Sequence, residues 1–206
     1  MNGLLLLCFD YSKVAVEEFN DWYDTEHIPE RQRTMGFLTA QRWIGVENRS
    51  ISVAVYDLEN AEVLRSPGYL AISGPNLSPW SKRVVGACRQ LLRFEGTQLY
   101  PGRAVGSDAG FLMLVAVGAD PVDLDTRKQS SLEHAARVSK LPGVKSARAF
   151  GSTNSSMQLL ELYELEGPEV ISSGAWRDAD SVHPAGSLSV RANLQVLCSR
   201  YRRTTS

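Results

Sequence analysis

The chain has 206 residues, a net charge of −1 and an ordinary apolar share of 43%. That length holds one large domain or two small ones packed together, with apolar side chains enough for a real core. With a near-zero charge nothing suggests a nucleic-acid or membrane-surface partner, and three scattered cysteines (Cys8, Cys88, Cys198) form neither a zinc spacing nor a disulfide framework, which fits a reducing cytoplasm.

Residues 3–10 are a continuous apolar run of strand length. The leucines at 4–7 invite comparison with a signal peptide, but no basic region precedes them and the run is too short. No segment is long enough to span a bilayer as a helix. Over 13–28, Val16, Phe19, Tyr23 and His27 recur at helical spacing, and Pro29 is expected to end or kink that helix. Residues 37–45 alternate as a strand does, Glu47-Asn48-Arg49 reads as a turn, and 51–57 follow as the next strand. Residues 60–73 and 79–91 are helical in composition, with Ser78-Pro79 as a helix start, and 92–100 return as a strand. Further along, 110–117, 144–151, 157–164 and 187–202 read as strands, and 125–141 and 167–179 as helices.

A shift of 107 positions, from Gly3 to Gly110, brings the landmarks of these two stretches together. Glu26-His27 falls on Glu133-His134, and Gly36, Ala40 and Trp43 fall on Gly143, Ala147 and Phe150. Tyr56-Asp57-Leu58-Glu59 falls on Tyr163-Glu164-Leu165-Glu166, Tyr69 on Trp176, and Arg93-Phe94 on Arg200-Tyr201. The expected fold class is therefore α+β: two tandem ferredoxin-like βαββαβ repeats, 1–103 and 110–206, joined by a linker at 104–109. Each repeat would leave one sheet face bare, and the two faces would cover each other in a barrel with helices outside. Single-copy relatives achieve this by dimerising, and the pseudo-dimer has room to pair again as a homodimer.

The segment Phe19–Pro29 (FNDWYDTEHIP), followed by Met35–Trp43 (MGFLTAQRW), resembles the motif of EthD-like proteins in the dimeric α+β barrel superfamily. Ser78-Pro79-Trp80-Ser81-Lys82-Arg83 is also similar to a stretch in such relatives. Met35 stands where that family usually has proline, and the second half keeps little of the motif. The resemblance implies the barrel fold. It also implies a choice among cofactor-free dehydratases, cyclases, isomerases and monooxygenases, heme proteins and members of no known activity.

His27 is the leading candidate for chemistry, since imidazole exchanges protons near neutral pH. Tyr23 lies four residues before it, and Asp24 or Glu26 would orient the ring. Such a set is worth about 10²–10⁴ in rate. Trp22, Arg42, Trp43, Tyr56 and Tyr69 are candidates to line an apolar pocket, and Trp80 and Arg83 to stand at its mouth. Each has a plainer reading as core or solvated surface, and a histidine present in both copies has a plainer reading as scaffold. Trp22-Tyr23-Asp24 becomes Gln129-Ser130-Ser131 in the second copy, so a working site is expected in the first.

The reading that follows is a cofactor-independent lyase- or isomerase-type enzyme acting on a small hydrophobic oxygenated molecule. One alternative is a monooxygenase of the same fold, cofactor-free or using heme on His134 or His183. Another is a non-catalytic protein that binds the same kind of molecule. No metal motif, dinucleotide fingerprint or P-loop is present.

Overall fold

The structure, a computed structural model, describes residues 1–118, 124–154, 157–181 and 193–203. The first half runs β1 (Gly3–Asp10), α1 (Val16–Trp22), a π-turn (Tyr23–His27), α2 (Ile28–Gln32), β2 (Phe37–Gly45) and β3 (Ile51–Leu58). After a 3₁₀ segment (Ala61–Arg65) come α3 (Pro67–Leu70), α4 (Pro79–Ala87) and β4 (Arg89–Tyr100). The second half repeats the order with β5 (Phe111–Gly118), α5 (Leu124–Val138), β6 (Val144–Ser152), β7 (Met157–Leu165), α6 (Gly174–Ser181) and β8 (Leu194–Arg200).

The eight strands close an antiparallel barrel in the order β1-β3-β2-β8-β5-β7-β6-β4. Each half contributes a ferredoxin-like sheet, and the seams are β2 against β8 and β4 against β6. Strand alternation sends Leu6, Trp43, Val53, Phe94, Leu114 and Phe150 into one apolar core that fills the barrel. Leu5, Leu7, Phe19 and Tyr56 pack outside it, under the first half's helices, and Met113, Val138, Tyr163 and Trp176 do so in the second.

One end of the barrel carries a buried ionic cluster. Arg148 reaches Asp57 at 2.5 Å and Glu164 at 3.3 Å, one carboxylate from each half. The same carboxylates accept from the backbone N–H groups of Gly106 and Ser107 at 2.8 and 2.7 Å, so the connecting segment is fixed across both halves. Removing one partner of such a cluster strands the other charges in the interior.

Several local expectations need correction. The first helix starts at Val16 and does not stop at Pro29; that residue sits in the first turn of α2, just after the π-turn. A proline has no N–H to give the preceding turn, and the wider π-turn accommodates the break without ending the helix. The span 60–73 is not one helix. Asn60 caps the 3₁₀ segment, Ser66 caps α3, and Pro67 restarts the chain between them. Ser78 does start α4, its hydroxyl accepting from the Ser81 N–H at 2.9 Å. Residues 187–192 of the last expected strand lie outside the described residues.

The constant offset also changes. β3 and β7 keep it, as Tyr56 and Tyr163 show by facing the same layer. Opposite them, Leu5 pairs with Tyr56 but Met113 pairs with Tyr163, so β1 matches β5 at an offset of 108. Glu95 and Leu197 are the residues paired with Leu5 and Met113, so β4 matches β8 at 102. Arg93 therefore corresponds to Gln195 and not to Arg200. Between β1 and β2 the first half has one residue more than the second, and the π-turn, absent from the continuous α5, takes up one such residue. Burial agrees: Trp22-Tyr23 match the buried Ser130-Ser131.

Candidate active site

A cavity of about 490 Å³ lies on the outer face of the first half's sheet, beneath α3 and α4. Leu5, Leu7 and Phe9 of β1 form its floor, and Leu64, Leu77 and Val85 close much of its roof. Several elements supply its polar side chains. His27 and Arg31 project one helical turn apart, Tyr69 comes from α3, and Arg93 and Glu95 come from β4. Arg93 and Glu95 share the outward face because Leu92 and Phe94 between and beside them point into the barrel. Asn154, from the turn between β6 and β7, is the second half's contribution to the wall.

His27 is 5% exposed and packs against the rings of Trp22 and Tyr23, with centroids 4.4 and 5.2 Å away. Its Nδ1 has no hydrogen-bond partner. Burial, reinforced by the nearby Arg31 guanidinium, holds its pKa well below the ordinary histidine value. The ring is thus neutral at physiological pH and able to accept a proton. Arg31 is anchored by Glu30 at 2.7 Å and by the carbonyl of Ile72 at 3.2 Å. Arg93 places both Nε and Nη2 on a single oxygen of Glu95, at 3.0 and 2.5 Å, and donates to the Tyr69 hydroxyl at 3.2 Å.

Of the eleven residues singled out from sequence, His27 and Tyr69 border this cavity. Trp22, Tyr23 and Tyr56 are wholly buried in the helix–sheet core behind it. The Tyr23 hydroxyl has no partner, and burial pushes its pKa well up, so it is packing and not a presented donor. Neither carboxylate orients His27. Glu26 accepts from the hydroxyls of Ser78 and Ser81 at 2.6 and 2.9 Å, and Ser81 in turn accepts from Trp22 Nε1 at 2.9 Å. Asp24 faces away, accepting from the Tyr201 hydroxyl at 2.9 Å and lying 3.6 Å from Arg42. The π-turn explains both departures, because it rotates the side chains at 24 and 26 off the spacing of an α-helix. Arg42 is held by Asn20 and stacks on Tyr201, 3.8 Å from its centroid. Trp43 points into the barrel and not toward the helices. Trp80 packs on the helix-side core, and Arg83 is an exposed partner of Glu18. Arg31, Arg93 and Glu95 were not foreseen. Arg31 stands one turn after His27, and Arg93 and Glu95 are charges alternating with the apolar Leu92 and Phe94 of β4, which is the pattern that marks them.

In the matching region of the second half the described side chains bond to one another. Ser131 and Tyr163 donate to the two oxygens of Glu161 at 2.7 and 2.6 Å. His134 Nδ1 lies 2.7 Å from the Tyr163 hydroxyl, and its Nε2 lies 3.5 Å from Asp180. The ring is held inside a packed layer by the Tyr163 hydroxyl with Asp180 beside it, so His134 does not fit the part of an axial heme ligand. His183 lies outside the described residues. Among the described residues, no three His, Cys, Asp or Glu side chains gather as a metal site, and no helix is long and apolar enough to cross a membrane.

No family model and no curated protein matches the sequence. Solved structures do match over nearly the whole chain. An anthrone oxidase-like protein aligns with a TM-score of 0.67 at 10% identity, covering 97% of this chain and 92% of its own. A provisionally named monooxygenase from Fusobacterium nucleatum subsp. nucleatum gives 0.63 at 9%, covering 98% and 93%. A substituted chlorite dismutase from Candidatus Nitrospira defluvii gives 0.62 at 11%, covering 98% and 92%. At these identities the likeness establishes the fold, the dimeric α+β barrel.

Proposed function

We propose that the chain is an enzyme that takes a proton from a small, largely apolar oxygenated molecule bound in the first-half cavity, with His27 as the base. The observation that carries this reading is a neutral imidazole at the wall of a cavity with an apolar floor, one helical turn from a fixed cation. Arg31 stabilises the negative charge that develops on the substrate oxygen as the proton leaves. The hydrophobic floor and roof exclude water and hold a ring system of the size the cavity admits.

The carbanion or enolate so formed has two fates. Elimination, cyclisation or protonation elsewhere makes the enzyme a lyase or isomerase of the cofactor-independent kind, and the EthD-like resemblance of the Trp22–Pro29 segment belongs with this reading. Reaction with dioxygen makes it an oxidase or monooxygenase, which the names of the structural neighbours favour. Anthrone is a suitable probe of both. Exchange of its acidic methylene hydrogens for solvent deuterium, without oxygen uptake, reports proton transfer alone. Oxygen uptake with formation of anthraquinone and water reports the second fate. His27→Phe is expected to lower either rate at least about 100-fold; a rate equal to wild type in a folded variant removes His27 from the mechanism.

A further inference from the structure

Tyr69 is the phenol among the residues that line the cavity. Its N–H donates to the Ser66 hydroxyl at 3.2 Å, and its ring stacks on Phe37 with centroids 5.8 Å apart. The side chain is thus held at both ends, and the residue is only 4% exposed. The hydroxyl oxygen accepts from Arg93 at 3.2 Å, and among the described residues its own hydrogen goes to no protein acceptor. A hydroxyl that accepts from a cation is polarised and donates more strongly through its hydrogen. Arg31 belongs to the same corner. Its Nη2 donates to the Ile72 carbonyl at 3.2 Å, and the Ile72 N–H donates to the Tyr69 carbonyl at 3.1 Å. The second half supplies the control. There the Ser173 hydroxyl accepts from the Trp176 N–H at 3.1 Å, the same cap on the matching turn. The Trp176 ring packs edge-on against Tyr163, with centroids 5.2 Å apart. The barrel therefore needs an aromatic ring at this place, and the hydroxyl is the first half's own addition.

We propose that Tyr69 is a catalytic hydrogen-bond donor, its O–H meeting the substrate oxygen from α3 as Arg31 meets it from α2, with Arg93 as the residue that positions it. This deepens the reading above and rests on the same cavity being the site of proton transfer. As His27 takes the proton from carbon, the C–H electron pair moves through to the carbonyl oxygen. The Tyr69 proton stays on its own oxygen, and its hydrogen bond shortens onto the charge that forms. The substrate class that follows is an enolisable aryl ketone, its oxygen toward α2 and α3 and its rings over the apolar side chains of β1.

Tyr69→Phe keeps the ring and removes the donor. It should lower kcat for deuterium exchange into anthrone about 100-fold while KM stays within about threefold and thermal unfolding is unchanged. Arg93→Met should cost about fivefold in the wild type and less than about twofold in a Tyr69→Phe background, since it acts through the phenol. An equal loss in both backgrounds overturns the part given to Arg93. Binding gives a readout apart from turnover, with 2-naphthol and the oxygen-free naphthalene titrated at pH 7. Tyr69→Phe should weaken 2-naphthol at least about fivefold and leave naphthalene within about twofold. Unchanged 2-naphthol affinity, or wild-type protein that binds neither probe, overturns the proposal. His27→Phe separates the two readings. Exchange lost in His27→Phe but kept in Tyr69→Phe leaves the base standing and removes the donor. Exchange kept in His27→Phe but lost in Tyr69→Phe removes the base and leaves the donor.

Discussion

The outer faces of the two half-barrels answer one packing problem differently. Both must cover a sheet with a helix that carries a histidine, His27 or His134. In the second half Glu161, Tyr163, Ser131 and His134 form one buried hydrogen-bonded group beneath the helix. In the first, Ala54 stands where Glu161 does, and the tyrosine hydroxyls at 23 and 56 have no partners. There the helix is widened by a π-turn, and the space beside His27 is a cavity. A histidine bonded to Tyr163 beneath a packed layer holds that layer together. A neutral one whose ring borders a cavity is available for chemistry.

The largest expected difference comes from removing each histidine in turn. His27→Phe should lower turnover of anthrone or a better substrate about 10²–10⁴-fold and leave thermal unfolding nearly unchanged. His134→Phe should do the reverse, costing about 0.5–1.5 kcal/mol of stability for the lost hydrogen bond to the Tyr163 hydroxyl while turnover stays within about threefold. If His134→Phe abolishes turnover in a folded protein, the division of labour between the halves is wrong.

Glu161→Ala gives the second half the residue that the first half has at Ala54. It leaves the hydroxyls of Ser131 and Tyr163 without their acceptor, and denaturant unfolding should report a loss of about 1–3 kcal/mol. Calorimetry showing no loss would mean that the network is not what fastens α5 to the sheet.

Much of the fold was legible because the features that define it are periodic. Alternation located the strands to within a few residues. Gly36 and Gly143 recur because both adopt positive φ, 92° and 79°, as the chain enters β2 and β6. Asp57 and Glu164 recur because both bind Arg148. The site was less legible. Spacing found His27, but the carboxylates next to it in sequence turned elsewhere once a π-turn replaced an α-turn. The offset of 107 hid the fact that β1 and β4 shift against their counterparts, so Arg93 was matched with Arg200 when its true counterpart is uncharged. A cavity wall assembled from α2, α3 and β4 has no local signature, since its parts are distant in the chain.

Acidification should act on the first half's histidine by a smaller amount. The folded state holds His27 below its ordinary pKa, so in the unfolded chain this group binds a proton first as pH falls. The unfolded state then gains protons that the native state does not, and stability declines from near pH 6.5 downward until the native ring also titrates. His27→Phe should flatten that part of the stability–pH curve. The same lowered pKa puts the acid limb of the turnover profile below pH 6.5, with activity kept at neutral pH. A limb above pH 6.5 would place the base elsewhere.

The smallest effect is expected on the rim of the first half. Arg83 pairs with Glu18 at 2.7 Å, but its side chain is 65% exposed, and water screens the pair. Arg83→Ala should cost about 0.2–1 kcal/mol and leave turnover unchanged. A tenfold loss of turnover on Arg83→Ala in a folded protein would extend the working surface from the cavity wall over α4, where Arg83 now pairs only with Glu18 among the described residues.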